Sequence, residues 1–170
     1  DERHPLFLGT AALSDNDYLH CAIDHSDLII NIGHGVIEKP PFFMTPGGAT
    51  VIPINNFPSN IDEVYFTKLD VVGDIVNTVE ILTERLHKNV HWDHSYFALT
   101  KKEIDSHIES SSNDNHFPIT PQYLVSEVRK VMPSDGIIAL DNGVYKIWFA
   151  RNYKAHETNT VLLDNALATM

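Results

Sequence analysis

Short apolar runs alternate along the chain with stretches whose apolar residues recur at helical spacing. Asp27-Leu28-Ile29-Ile30-Asn31-Ile32-Gly33 is a β-branched run closed by a glycine and predicts a buried strand. Before it, Asp15 to His25 predicts a helix, with Ser14 as N-cap and Tyr18, Leu19, Ala22 and Ile23 on one face. Cys21 falls in the apolar stripe of that helix and is expected in the core. A Pro- and Gly-rich loop, Gly35 to Gly48, leads to a second strand, Ala49 to Asn55. Pro53 has no N–H to give to a ladder there and favours an edge or a bulge. A third short strand, Leu69 to Gly73, runs into Asp74-Ile75 and a helix reaching about His87. The polar stretch Glu109 to Asn115 has the composition of a linker. Beyond it, Thr120-Pro121 opens a helix with a cap and a first-turn proline, and Tyr123, Leu124, Val128 and Val131 form its apolar stripe. Asp135-Gly136 turns into the strand Ile137 to Leu140, which ends at Asp141-Asn142-Gly143; a helix from Tyr145 to Tyr153 and a strand from Thr160 to Leu163 follow.

Strands of this kind between helices predict an α/β fold, an open parallel sheet with flanking helices followed by the beginning of a second α/β domain. The expected division is 1–109 for the first domain, 110–118 for the linker and 119–170 for the truncated second domain. The chain opens on Asp1 without an initiator Met, and its second unit halts after two strands, so a piece of a longer protein is expected. Twelve Lys and Arg against 23 Asp and Glu give a net charge of -11, which repels phosphate backbones and anionic lipid, so neither a nucleic-acid nor a membrane partner is expected. One cysteine excludes an internal disulfide framework, and no apolar run reaches the ~18 residues that cross a bilayer. A cytoplasmic protein is the expectation.

Candidate chemistry is sparse. Gly33-His34-Gly35 follows a strand, where open α/β sheets turn backbone N–H groups toward ligands, but it is not the three-glycine dinucleotide fingerprint, and a tight turn after a buried strand is the favoured account. His87, His91 and His94 would share one face only on a continuous helix, and Asn89, Trp92 and Asp93 place a helix break there. No metal ligand and no catalytic residue is assigned. Trp148, Phe149 and Tyr153 sit at helical spacing and are expected in the core. Asp141-Asn142-Gly143 ends a strand just before a helix, a place where N–H groups at the helix start can receive phosphate; an ordinary βα turn is the competing account.

Several segments, in order, resemble the thiamine-diphosphate-dependent decarboxylase and carboligase family, in its acetolactate synthase large-subunit branch. His4-Pro5-Leu6-Phe7-Leu8-Gly9, Ala22 to Gly33, Val51 to Pro58 and Val71-Val72-Gly73-Asp74 are similar to the family's Rossmann-like middle domain. Ile119-Thr120-Pro121-Gln122-Tyr123, Ile137 to Gly143, Trp148 and Asp164 to Met170 are similar to the opening of its diphosphate-binding domain. The resemblance implies a parent enzyme that decarboxylates pyruvate and ligates the product to a second 2-oxo acid, with thiamine diphosphate and Mg²⁺ as cofactors. It implies cofactor contacts at Asn142, Gly143, Val144 and Tyr145, and at Ala168 and Met170. Where acetolactate synthases usually carry Gly-Gln-His, this chain has Gly143-Val144-Tyr145, so only backbone contacts carry over, and Ala168 stands where the family has glycine. The family's activating glutamate precedes this stretch and its Mg²⁺ motif follows it; the 170 residues alone are therefore expected to be inactive and to hold no cofactor. The loop Gly33 to Pro41 has no arginine, which argues against FAD. The implied partners are the remaining domains of the parent chain, assembled as a homodimer or homotetramer. The competing reading is a free-standing Rossmann-like nucleotide-binding or interaction module without catalytic activity.

Overall fold

The computed structural model describes residues 1–11, 18–34, 47–59, 67–88, 91–114 and 116–163. The protein is α/β, with parallel strands in open sheets and helices beside them. It divides into two compact units, His20–His94 and Asp1–Leu19 with Ser95–Met170. The first helix, α1 (Tyr18–Asp24), crosses the boundary between the units. Its buried residue is Ala22, while Cys21 is exposed, which corrects the core assignment of the cysteine by one position on the helix. The expected N-cap Ser14 and most of the loop Gly35 to Gly48 lie outside the described residues.

In the unit His20–His94, β1 (Leu28–Ile32), β2 (Thr50–Asn55) and β3 (Val71–Val72) form a parallel sheet in the order β1-β2-β3. Leu28 pairs with Thr50 and Ile32 with Ile54, whereas β2 meets β3 only at Ile54–Val71 and Asn55–Val72. That short second ladder explains how Pro53 sits in a central strand. The carbonyls of Val51 and Asn55 accept from the N–H groups of Lys68 and Gly73, so the odd-numbered residues of β2 turn their backbone toward β3. The missing donor of Pro53 thus falls on the side where pairing has not yet begun. Val51, Pro53, Ile54 and Asn55 are buried there. Leu28, Ile30 and Ile32, one face of β1, are 44%, 47% and 50% exposed, although parallel sheets are ordinarily covered on both faces. α2 (Ile75–Arg85) is started by Asp74, whose carboxylate accepts from the N–H of Asn77 at 2.8 Å.

The other unit carries α3 (Ser95–Ser112), α4 (Pro121–Val131), β4 (Ile138–Leu140), α5 (Tyr145–Asn152) and β5 (Val161–Leu163), with α4 packed on both α3 and α5. α3 runs three residues into the stretch expected as linker. Its serines bond to the turn before them, Ser110 to the carbonyl of His107 and Ser112 to that of Ile108, and the Asn113 amide caps the Glu109 carbonyl. β4 and β5 are parallel, Ile138 opposite Val161 and Leu140 opposite Leu163. α4 begins as expected, with the Thr120 hydroxyl accepting from Tyr123 N–H and Pro121 in the first turn. Its buried residue is Val125, 1% exposed, while Leu124 and Val131 of the expected stripe are 50% and 78% exposed. Tyr153 is buried as expected; its hydroxyl accepts from Arg129, whose guanidinium lies 4.6 Å from the ring centroid. The N-terminal segment is held by two bonds between Glu2 and Ala155.

Candidate functional site

β4 supplies the strand end from which the candidate turn departs. Ile138 N–H donates to the carbonyl of Thr160 at 2.8 Å, which fixes β4 beside β5 and sets where Asp141 leaves the sheet. Asp141 Oδ1 accepts from the N–H of Asn142 at 2.6 Å and so bends the chain immediately after the strand. The carbonyl of Gly143 accepts from Lys146 N–H at 3.0 Å and that of Val144 from Ile147 N–H at 3.2 Å, tightening the first turn of α5. Val144 is the N-cap residue, in a helical conformation with no side-chain acceptor for the first N–H groups, unlike Asp74 of α2 and Thr120 of α4.

Asn142, Gly143, Val144 and Tyr145 are therefore brought together in one turn at the carboxyl end of a parallel strand, the part of an α/β sheet where ligands are received. Ala168 and Met170 lie outside the described residues. One residue of this turn escaped the sequence reading. Lys146 reaches back to place its Nζ 2.6 Å from Oδ1 of Asn142, so an ammonium sits over the start of α5. The signal was present in the i, i+4 spacing of an amide and a lysine across the first turn.

Gly143 has an unexpected neighbour. It is not among the described glycines with positive φ, which are Gly9, Gly33 and Gly47, so its backbone does not demand glycine. A β-carbon built on it would fall 2.8 Å from Cζ and 3.0 Å from Cδ1 of Tyr145, and closer still to Cε1. The tyrosine ring thus occupies the open flank of the glycine. The turn carries the ammonium of Lys146 and the carboxylate of Asp141, so the start of α5 and Lys146 are its features that suit an anionic group such as a diphosphate, and at Gly143 the ring stands in the way.

The other candidates lie away from this turn. Gly33 has φ +68°, and its N–H donates to Ile54, so the glycine serves the turn out of β1. Asn55, 5% exposed, ties the strand ends there by donating to the carbonyl of His34 and accepting from Asn56 N–H through its side chain. The segment Gly35 to Pro41, which has no arginine, lies outside the described residues. α2 ends at Arg85 with Leu86 as its C-cap, which leaves His87, His91 and His94 off any helix, and among the described residues no group of three His, Cys, Asp or Glu side chains could hold a metal. Among the described residues four titratable groups outside the turn are perturbed, the exposed Asp114 and Lys130 by their neighbours His116 and Glu127, and Asp105 and His156 with burial as the first cause. Burial acts to raise the pKa of Asp105, but the hydrogen bond from Lys101 and the charge of Lys154 outweigh it and hold the carboxyl below its usual range. Burial, then the charges of Arg3 and Arg129, push His156 below the ordinary histidine value. Among the described residues no helix is long and apolar enough to cross a membrane.

Residues 1–82 match the family described as thiamine pyrophosphate enzyme, central domain. The chain is 27% identical over 167 residues to a protein of Raoultella terrigena named acetolactate synthase, catabolic, an alignment that covers 96% of this chain and 30% of that protein. It is 24% identical over 173 residues to an acetolactate synthase of Bacillus subtilis (strain 168), covering 96% of this chain and 29% of that one. The chain thus spans about 30% of the length of the relatives it matches.

Proposed function

We propose that this chain, which belongs to the thiamine-pyrophosphate-dependent enzyme family, is an internal stretch of an enzyme that decarboxylates pyruvate and ligates the product to a second 2-oxo acid, as an acetolactate synthase does. The observation that carries this reading is the extent of the likeness. The matches to proteins named acetolactate synthase cover 96% of the chain, so they include the unit with the β4–α5 turn as well as the region of the central-domain match. Fold alone would not suffice, because α/β sheets of this kind host many functions.

When bound, thiamine diphosphate supplies the electron sink for decarboxylation and carbon–carbon bond formation. The part of this chain is positional. Asn142 holds the ammonium of Lys146 against the turn, and that charge together with the start of α5 favours the negative end of the cofactor. Asp141 fixes the direction in which the turn leaves β4. The catalytic glutamate and the Mg²⁺ ligands belong to the rest of the parent protein, which assembles as a homodimer or homotetramer.

The test is turnover by the full-length protein. With thiamine diphosphate and Mg²⁺ it should release CO₂ from pyruvate and form a carboligation product, and omission of thiamine diphosphate should abolish both. Pyruvate left untouched under those conditions, in a protein that is folded and cofactor-loaded, would overturn the reaction assigned.

A further inference from the structure

Glycine at position 143 has no backbone reason in this fold, and the contact beside it supplies one. The open flank of Gly143 is filled by the ring of Tyr145, with Cζ 2.8 Å and Cδ1 3.0 Å from where a β-carbon would stand. The ring is not locked in place. Tyr145 is 43% exposed and Val144 before it is 72% exposed, so the side chain has solvent on its far side into which it can turn. Lys146 is anchored separately, on Asn142, and stays at the turn whatever the ring does.

We infer that Tyr145 is a shield over the Gly143 turn, a residue that sets the affinity of the turn for a diphosphate because its ring must swing into solvent before an anionic oxygen can reach the backbone there. The inference rests on the turn being the cofactor's diphosphate contact. The ring opposes binding by taking the space beside Gly143 that an anionic oxygen would need. Displacing it forfeits the packing of the ring against the Gly143 backbone, so the ring should lower affinity about three- to tenfold.

The experiment uses full-length protein and two readouts that do not depend on turnover. In the first, calorimetric titration with thiamine diphosphate and Mg²⁺ compares wild type, Tyr145→Phe and Tyr145→Ala. Tyr145→Ala should bind about three- to tenfold more tightly, and Tyr145→Phe, which keeps the ring, should match wild type. In the second, the melting temperature of the cofactor-free protein is measured for Gly143→Ala with and without Tyr145→Ala. The added β-carbon should lower it only while the ring is present, because only then do the two collide. Equal affinity of wild type and Tyr145→Ala would overturn the shield while leaving the cofactor contact standing. A stability loss from Gly143→Ala that persists without the ring would also overturn it. No saturable binding in any of the three proteins would overturn both the shield and the cofactor contact beneath it.

Discussion

Truncating Val125 to alanine should destabilise the unit that carries the candidate turn far more than truncating its neighbour Leu124. Val125 is 1% exposed on a helix packed against α3 and α5, whereas Leu124 is 50% exposed. Val125→Ala removes the equivalent of two methylenes, ~1.6 kcal/mol of transfer free energy at roughly 0.8 kcal/mol each. The cavity left at this buried position cannot fully collapse and brings the total to about 2–3 kcal/mol. Leu124→Ala gives up only part of its apolar burial and gains the best helix former, so its net cost should stay below about 1 kcal/mol. Urea denaturation followed by far-ultraviolet circular dichroism reads both variants on one scale, with the slope m unchanged and the midpoint lower for Val125→Ala. A larger loss for Leu124→Ala would refute the orientation of α4 and, with it, the placement of α5 and the turn.

Three further outcomes follow from single positions. Gly33→Ala forces a side chain into φ +68° and should cost about 1–2 kcal/mol, whereas Gly73→Ala, with no positive φ and only Thr78 Oγ1 at 4.0 Å, should be nearly neutral in the same urea assay; equal losses would contradict the turn geometry. Asp74→Ala removes the side-chain acceptor at the start of α2 and should cost about 1 kcal/mol, with Asp74→Asn largely sparing it. Asp105 has a carboxyl held below its usual range, so the unfolded chain takes up its proton first on acidification. Its contribution is complete above about pH 4 and is lost as pH falls through the lower folded value, and Asp105→Asn should flatten the dependence of the urea midpoint on pH below about 4. An unchanged slope in the variant would show that the Lys101 and Lys154 pairings are too solvent-screened to matter.

The elements legible in the sequence were those marked by chemistry local to them. Leu28–Ile32 and Ile138–Leu140 are apolar runs closed by turn residues, and Thr120-Pro121 and Asp74 are caps whose side chains do in the fold what their positions suggest. Elements were misjudged where neighbours far along the chain decide. On α1 the face that includes Ala22 is buried there as its spacing suggested, but Cys21 beside it stays exposed, and α4 buries Val125 rather than Leu124, because a helix turns inward whichever stripe its packing partners accept. Ser110 to Asn113 have linker composition, yet they stay helical or cap the helix through side-chain bonds to the preceding carbonyls. Pro53 is tolerated in a central strand because of the short register of β3, which no local pattern encodes. At the candidate turn, Asn142 to Tyr145 could be named from the sequence, but the Lys146 anchor and the ring on Gly143 depend on rotamers that only the fold selects.

The most direct test of the account is amide hydrogen exchange on the full-length protein with and without thiamine diphosphate and Mg²⁺. The account predicts that added cofactor slows exchange at Gly143 to Ile147, the N–H groups of the turn and the first turn of α5, while the α2 amides stay as they were. Cofactor bound at full stoichiometry with no change in the exchange of residues 143–147 would contradict it.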